Sequence, residues 1–261
     1  MSKNNKNLND RDLFDFLITE SKVPFSGWDF SYLDFTGRMN SSLLTWNYAS
    51  KIMANLKDID SLLDMGTGGG EFLSKIRPLP KETYATECYK PNIPIAKKRL
   101  EPLRIKVIGL KNHNKLPFDD NYFDLVINRH DSYEESELLR ILKNKCYFIT
   151  QQVGEKDNIK INEDLRTGYK PEENIWNLDQ ASRKLVDAGF KIVEMKEEFP
   201  ISRYYDVGAL VYHLKAIPWQ IEDFSVEKYY DKLKRIHKII KKNGFYDVNA
   251  HRFFIIAEKV Q

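Results

Sequence analysis

The sequence predicts an α/β fold in which helices cover a mostly parallel sheet, and three observations lead to this prediction. From about residue 59 onward, short apolar runs alternate with helical patterns, which is typical of crossover units in parallel sheets. The chain has 261 residues, enough for one large domain of this class. Four glycines follow the first apolar run directly, where such sheets place a strand-to-helix turn.

The elements can be assigned in chain order from their apolar spacing. Helical spacing predicts helices near residues 13–18 and 42–56, and later over residues 71–77, 93–100 and 134–142. Apolar runs predict strands over residues 61–65, 82–86, 105–110, 123–128 and 146–153. Each later helix therefore lies between two strands, as a parallel sheet requires.

The last third of the chain has a capped helix and two further strands. Asn177 is expected to cap a helix that Gly189 ends, and a strand over residues 190–195 follows directly. The final strand, residues 252–259, comes only after a long excursion. We expect a cap segment over residues 1–41 and a domain over residues 42–261 that carries an insertion at residues 199–248.

Composition and charge are those of an ordinary globular protein. Hydrophobic residues make up 42% and charged residues 30%, and the net charge of +3 gives no strong sign of nucleic-acid binding. Two cysteines are too few for a disulfide framework, which indicates a reducing cytosol. The polar N-terminus lacks a signal-peptide core, and no run reaches the length of a membrane span. We therefore expect a cytoplasmic protein without a membrane partner.

The glycine-rich turn "LLDMGTGGGEF" allows three interpretations. A turn without a ligand needs one or two glycines rather than four. A Walker phosphate loop ends in Gly-Lys-Ser/Thr, whereas Gly70 is followed by Glu71 and Phe72. A dinucleotide fingerprint requires a glycine where Glu71 stands, and this carboxylate would face the pyrophosphate. The pattern that fits is Asp64-x-Gly66-x-Gly68-x-Gly70.

That pattern resembles the first motif of class I S-adenosylmethionine-dependent methyltransferases, and the chain looks like a methyltransferase of type 11. The segment "KLPFDDNYFDLVINR" is similar to the one that leads into the fourth strand of this family. The resemblance covers about residues 42–196 and the last strand. It implies a Rossmann-like, mixed seven-stranded sheet with an antiparallel last strand, helices on both faces, and a cap formed by the N-terminal segment and the insertion.

The resemblance also implies a set of residues that bind S-adenosylmethionine. A carboxylate at the end of the first sheet strand attracts the ammonium group of the ligand, and the glycines let the backbone pass beneath it. A second carboxylate accepts from the ribose hydroxyls, while an asparagine stands where relatives usually carry the aspartate that contacts adenine. The implied residues are Asp64, Gly66, Thr67, Gly68, Gly70, Glu87, Cys88, Asn112, His113 as the alternative adenine contact, Asn128, and Trp46 or Tyr48 as a ring that stacks on the cofactor.

Catalytic residues are expected beyond the fourth strand, in the sequence "NRHDSYEE". His130 is the candidate general base, because imidazole titrates near neutrality. An equally open interpretation is a polar loop histidine that caps a helix or meets solvent. Arg129 would hold an anionic substrate, or it would pair with Asp131 or Glu134. A metal site is not expected, since the histidines and cysteines show no ligand spacing.

The expected activity is methyl transfer to a small molecule. The aromatic residues of the N-terminal segment and the insertion would line the acceptor pocket. The main alternative is an RNA methyltransferase, since the helix within residues 227–242 carries seven lysines and arginines, although a solvated face also explains them. A nicotinamide-dependent oxidoreductase and a catalytically silent binding module remain as lesser alternatives.

Overall fold

A computed structural model describes residues 9–112, 114–170 and 176–260. Within them, the helices are α1 Asp10–Ser21, α2 Ser31–Asp34, α3 Tyr48–Ala54, α4 Asn92–Leu100, α5 Glu135–Ile141, α6 Ile159–Leu165, α7 Leu178–Asp187, α8 Val207–Ala216 and α9 Val226–Asn243. The strands are β1 Met39–Ser41, β2 Ser61–Met65, β3 Glu82–Glu87, β4 Lys106–Gly109, β5 Phe123–Arg129, β6 Leu142–Val153, β7 Phe190–Glu198, β8 Ile201–Tyr204, β9 Tyr246–Asn249 and β10 Arg252–Lys259.

The main sheet has seven strands in the order β4-β3-β2-β5-β6-β10-β7. The first five strands are parallel, and β10 lies antiparallel between β6 and β7. The predicted Rossmann-like mixed sheet with an antiparallel last strand is thereby confirmed. The strand order reverses between β2 and β5, so the carboxyl ends of these two strands meet at a topological switch point, where ligands bind in such folds.

Two apolar layers cover the sheet because successive residues of a strand point to opposite faces. Leu62 and Phe254 pack with α3 and α4 on one face. Their neighbours Leu63 and Phe253 pack with α5 and α7 on the other. Buried strands of this kind read as continuous hydrophobic runs, which is why the sequence located them well.

A second unit, which we call the cap, consists of α1, α2, β1, α6, β8, α8, α9 and β9. Its strands form a small antiparallel sheet in the order β1-β8-β9, and its helices share one buried apolar cluster. The N-terminal segment and the insertion therefore form one body, as predicted, and α6 is an unexpected third contributor. Residues 1–8 of the predicted cap segment lie outside the described residues.

Two predicted helices differ from the structure. The helix expected over residues 71–77 is only a short 3-10 turn, Leu73–Lys75. Gly70 precedes this segment and Pro78 follows it, which leaves too little chain for a stable helix. The helix expected over residues 42–56 begins at Tyr48, because the Asn47 side chain caps it by accepting from the Ser50 N–H at 2.9 Å.

Arg38 joins the N-terminal part of the cap to the insertion. Its Nε and Nη2 atoms donate to the two carboxylate oxygens of Asp206, at 2.8 and 2.6 Å, and Nη1 donates to Glu20 at 2.9 Å. Asp206 also accepts from the Ala209 N–H and so caps α8. One largely buried guanidinium therefore fixes α1, α8 and the start of β1 relative to one another.

We predict that Arg38→Met destabilises the protein by about 2–4 kcal/mol, because it leaves the carboxylates of Glu20 and Asp206 without their cation. The matched control is Arg203→Met, which breaks the more exposed bidentate pair with Asp247 in the same cap and should cost less than about 1 kcal/mol. Urea unfolding of both variants measures the difference. Equal losses would contradict a central role for Arg38.

Candidate active site

The glycine-rich turn follows β2 at the switch point and is enclosed by side chains from distant segments. Gly66 and Gly70 have φ angles of +67° and +78°, which side chains rarely adopt. A Cβ added at Gly66 would lie 2.0 Å from Asp131 Oδ2, and one at Gly68 would lie 3.3 Å from Trp28 Cβ. A Cβ at Gly70 would meet Leu100 of α4 at 2.7 Å. Gly70 therefore serves helix packing, whereas Gly66 and Gly68 allow functional side chains to approach the backbone.

Asp64 lies near the end of β2 and is almost completely buried. Burial raises the pKa of its carboxyl to about 7, against the opposing effects of Thr67 and Arg129. The negative charges of Glu87 and Asp131 raise this pKa further. A carboxylate held in such surroundings favours a cationic ligand, because a positive charge would offset the cost of its desolvation.

Glu87 ends β3 and ties the glycine turn to that strand. Its Oε2 accepts from the Gly68 N–H and its Oε1 from the Tyr89 N–H, both at 2.7 Å. Burial raises the pKa of Glu87, although these two hydrogen bonds oppose the shift. Each carboxylate oxygen has a second lone pair, so Glu87 is able to accept from a ligand hydroxyl without releasing the turn.

Asn128 and Tyr48 link the ends of β2, β5 and β6. The fully buried Asn128 side chain accepts from Gln152 Nε2 at 2.6 Å and from Thr150 Oγ1 at 3.2 Å. The Tyr48 hydroxyl donates to the Asn128 carbonyl at 2.8 Å. The side chain of Asn128, which we expected at the cofactor, thus joins the ends of β5 and β6.

His130 follows β5 in a left-handed conformation, with a φ of +60°. Burial, together with the charges of Arg129 and Arg252, holds its pKa well below the usual value, so the ring is neutral at physiological pH. Trp46 Nε1, which is only a donor, donates to Gln151 Oε1 at 2.9 Å, and the amide nitrogen of Gln151 lies 3.2 Å from His130 Nε2.

This chain of hydrogen bonds assigns the tautomer of His130. Since Gln151 presents its amide donor, His130 Nε2 must be the accepting nitrogen, and Nδ1 carries the proton. His130 therefore offers a hydrogen-bond donor, and its use as a general base would require it to break the contact with Gln151. Its neighbour Arg129 is solvent-exposed, with its guanidinium carbon 5.3 Å from the centroid of the Phe72 ring.

The remaining predicted cofactor residues are placed as follows. The Trp46 ring is buried against Phe254, with 5.0 Å between ring centroids, rather than open to a ligand. Cys88 is half-buried, and burial, Asp131 and Glu87 raise the pKa of its thiol to about 11. Asn112 is exposed and accepts from the Asn114 N–H at 3.1 Å. His113 lies outside the described residues.

Two residues of the site were missed by sequence reasoning. Asp131 places its carboxylate against Gly66, and Trp28 lies against Gly68. The only sequence signal for Asp131 was its position just after β5. Trp28 belonged to an aromatic segment whose contacts could not be assigned without the fold.

A cavity of about 330 Å³ adjoins the glycine turn through Asp131, which belongs to both. Its remaining lining residues are His130, Ser132, Tyr133, Glu135, Gln152, Val153, Trp176 and Lys184. The hydroxyl of Tyr133 is buried and has no hydrogen-bond partner among the described residues. Two aromatic rings, Tyr133 and Trp176, meet at this cavity with their centroids 6.2 Å apart. The cavity thus combines an aromatic wall with several polar groups, and none of its lining residues belongs to the N-terminal segment or the insertion, which we expected to line the acceptor pocket.

The described residues contain neither a metal-binding cluster nor a membrane-spanning helix. In residues 9–112, 114–170 and 176–260, no group of three histidine, cysteine, aspartate or glutamate side chains is arranged to hold a metal ion. In the same part of the chain, none of the helices has the length and apolarity needed to cross a membrane.

The region around the switch point resembles a known protein family. Residues 63–149, from β2 into β6, match the family model described as a methyltransferase domain. No curated protein resembles the chain closely enough in sequence to match it.

Solved structures share the fold at low sequence identity. A Bacillus halodurans protein provisionally described as a methyltransferase superposes with a TM-score of 0.60 at 17% identity, over 82% of this chain and 97% of its own. The YcgJ protein of Bacillus subtilis superposes with a TM-score of 0.56 at 12% identity, over 82% of this chain and 98% of its own. The cyclase SpnF superposes with a TM-score of 0.50 at 14% identity, over 97% of each chain.

We predict that Asp64→Asn stabilises the folded protein above neutral pH. Folding raises the pKa of Asp64 from 3.8 to about 7, so this group weakens stability as the pH rises through that interval. At about pH 8 the variant should melt at least about 3 °C higher than the parent, with a smaller difference near pH 5. The control is Asp60→Asn, at an exposed position before the same strand. Calorimetric scans measure the melting temperatures of both variants. The same response in both variants would contradict the prediction.

Proposed function

We propose, on the premise that residues 63–149 form a methyltransferase domain, that this chain transfers a methyl group from S-adenosylmethionine to a small molecule. The observation that carries the proposal is the group of three carboxylates, Asp64, Glu87 and Asp131, around the glycine turn. S-adenosylmethionine carries an ammonium and a sulfonium, and these charges complement such a group.

The residues present fit this cofactor in chemistry. Asp64 and Asp131 would hold the ammonium, and Glu87 would accept from the ribose hydroxyls. The hydroxyl of Thr67 is buried in the turn beside Asp64, whose pKa it lowers, and would serve as a further contact. The pyrophosphate of a nicotinamide dinucleotide would instead meet the carboxylates of Asp64 and Asp131 at the glycine turn, which argues against the oxidoreductase alternative.

When bound, the cofactor supplies an electrophilic methyl group for direct displacement by the acceptor. The residues of this chain orient the acceptor and exclude water from it. Tyr133 and Trp176 would hold an apolar or planar part of the acceptor, while Gln152 and the Nδ1–H of His130 offer hydrogen bonds to its polar part.

The size and charge of the cavity favour a small acceptor over RNA. Its volume of about 330 Å³ lies at the lower end of the range for small-molecule pockets. Asp131 and Glu135 would repel a phosphate backbone, whereas Lys184 is the one basic side chain among its lining residues. The exposed lysines of α9 belong to the cap, and one of its basic side chains, Lys234, pairs with Asp10.

We predict that Glu87→Ala weakens the binding of S-adenosylmethionine by about 10- to 100-fold, because a charge-assisted hydrogen bond contributes roughly 1.5–3 kcal/mol. Calorimetry with the cofactor, its demethylated product and NAD measures this effect. Glu82→Ala, at the opposite end of β3, is the matched control and should bind like the parent. Tighter binding of NAD than of both other ligands would overturn the cofactor assignment.

We predict that Tyr133→Phe lowers methyl transfer by roughly 10-fold or more while leaving cofactor affinity within about 2-fold, because only the hydroxyl at the acceptor cavity is removed. Radiolabelled S-adenosylmethionine, incubated with the small-molecule, RNA and protein fractions of a cell extract, first identifies the labelled class. The control is Tyr122→Phe. Tyr122 directly precedes β5, and its hydroxyl lies 3.0 Å from that of Tyr84. Label confined to RNA would favour the alternative function.

A further inference from the structure

The segment of residues 25–30, which we call the strap, crosses the glycine turn. Trp28 Cβ lies within 3.3 Å of the position that a Cβ on Gly68 would take. One residue earlier, a Cβ on Gly27 would lie 2.5 Å from Glu71 Oε1. The strap therefore touches the turn at two successive points, on the part of the backbone that Glu87 also contacts.

Aromatic rings hold the strap in place. The indole of Trp28 stacks on that of Trp219, with 5.7 Å between ring centroids and 14° between their planes. Phe25 and Phe30 each pack edge-to-face with Trp28, and their ring centroids lie 5.9 and 5.3 Å from that of Trp28. The one hydrogen bond recorded for the strap's side chains within the described residues is local, from the Ser31 N–H to Asp29 Oδ1 at 2.9 Å.

The strap differs in burial from the segments on either side of it. Phe25 and Phe30, the two ends of the strap, pack against the buried cluster of the cap, and Leu17 in α1 and Leu33 in α2 are completely buried in it, so both ends of the strap are anchored. Trp28 is 37% exposed and Trp219 67% exposed, although tryptophan is usually well buried. Gly27 has a φ of +64°, which gives the segment a turn that other residues resist. The contact between the two indoles is thus able to open while the anchors stay in place.

We propose that the strap closes the cofactor site over Gly68 and that the stack of Trp28 on Trp219 is its latch. This inference rests on the proposed function, because the ligand that it retains is S-adenosylmethionine or its demethylated product. Trp219 lies in the insertion and Trp28 in the N-terminal segment, so the latch joins the two parts of the cap across the mouth of the site. Opening the latch admits the cofactor, and closing it slows the escape of the cofactor.

The test measures both rate constants of cofactor exchange in the full-length protein. Rapid filtration follows the binding of tritiated S-adenosylmethionine over time, which gives association, and its loss during a chase with an excess of unlabelled cofactor, which gives dissociation. Trp219→Ala should raise the dissociation rate constant by about 10-fold and the association rate constant by a smaller factor. Phe35→Ala, which removes a 90% exposed ring outside the strap, should leave both constants unchanged.

Three further outcomes test the latch, and the last two separate it from the proposed function. Trp219→Phe, which retains a ring, should restore most of the slow dissociation. Unchanged rate constants in a folded Trp219→Ala variant would overturn the latch while leaving the cofactor assignment intact. A wild-type protein that does not bind the cofactor would overturn the proposed function, and the latch with it.

Discussion

The burial of three carboxylates around one backbone turn is the constraint on which the rest of the site depends. Asp64, Glu87 and Asp131 come from three different strand ends, and the parallel order of β3, β2 and β5 brings them together. Like charges in a desolvated place oppose folding, so the large apolar layers on both sheet faces must offset their cost. A cationic ligand would offset part of this cost, because its charge opposes the mutual repulsion of the carboxylates.

The sequence predicted the sheet well because its strands are buried on both faces and read as continuous apolar runs. Asp64 and Glu87 could be placed because each ends such a run. Asp131 and Trp28 could not, since their contacts with the turn join segments about 65 and 40 residues apart, and local patterns do not report on them. The strands β1, β8 and β9 have only three or four residues each, too few for a visible alternation.

The cap shows how two unrelated stretches of sequence become one structural body. Arg38 from the N-terminal part and Asp206 from the insertion pair directly, and the apolar cluster around them contains residues of both. The fold alone leaves the chemistry open, because the similar structure of SpnF belongs to a cyclase. Support for methyl transfer therefore comes from the charges at the turn and from the matched domain.

The position of β10 between β6 and β7 has a consequence for how the chain reaches its native state. During synthesis on a ribosome, β6 and β7 both emerge long before the strand that joins them. Until residues 252–259 leave the exit tunnel, β7 has no neighbour within the main sheet, and β6 exposes one apolar edge. Completion of the main sheet therefore waits for residues 252–259, and a nascent chain stalled before this strand would be a natural client for chaperones.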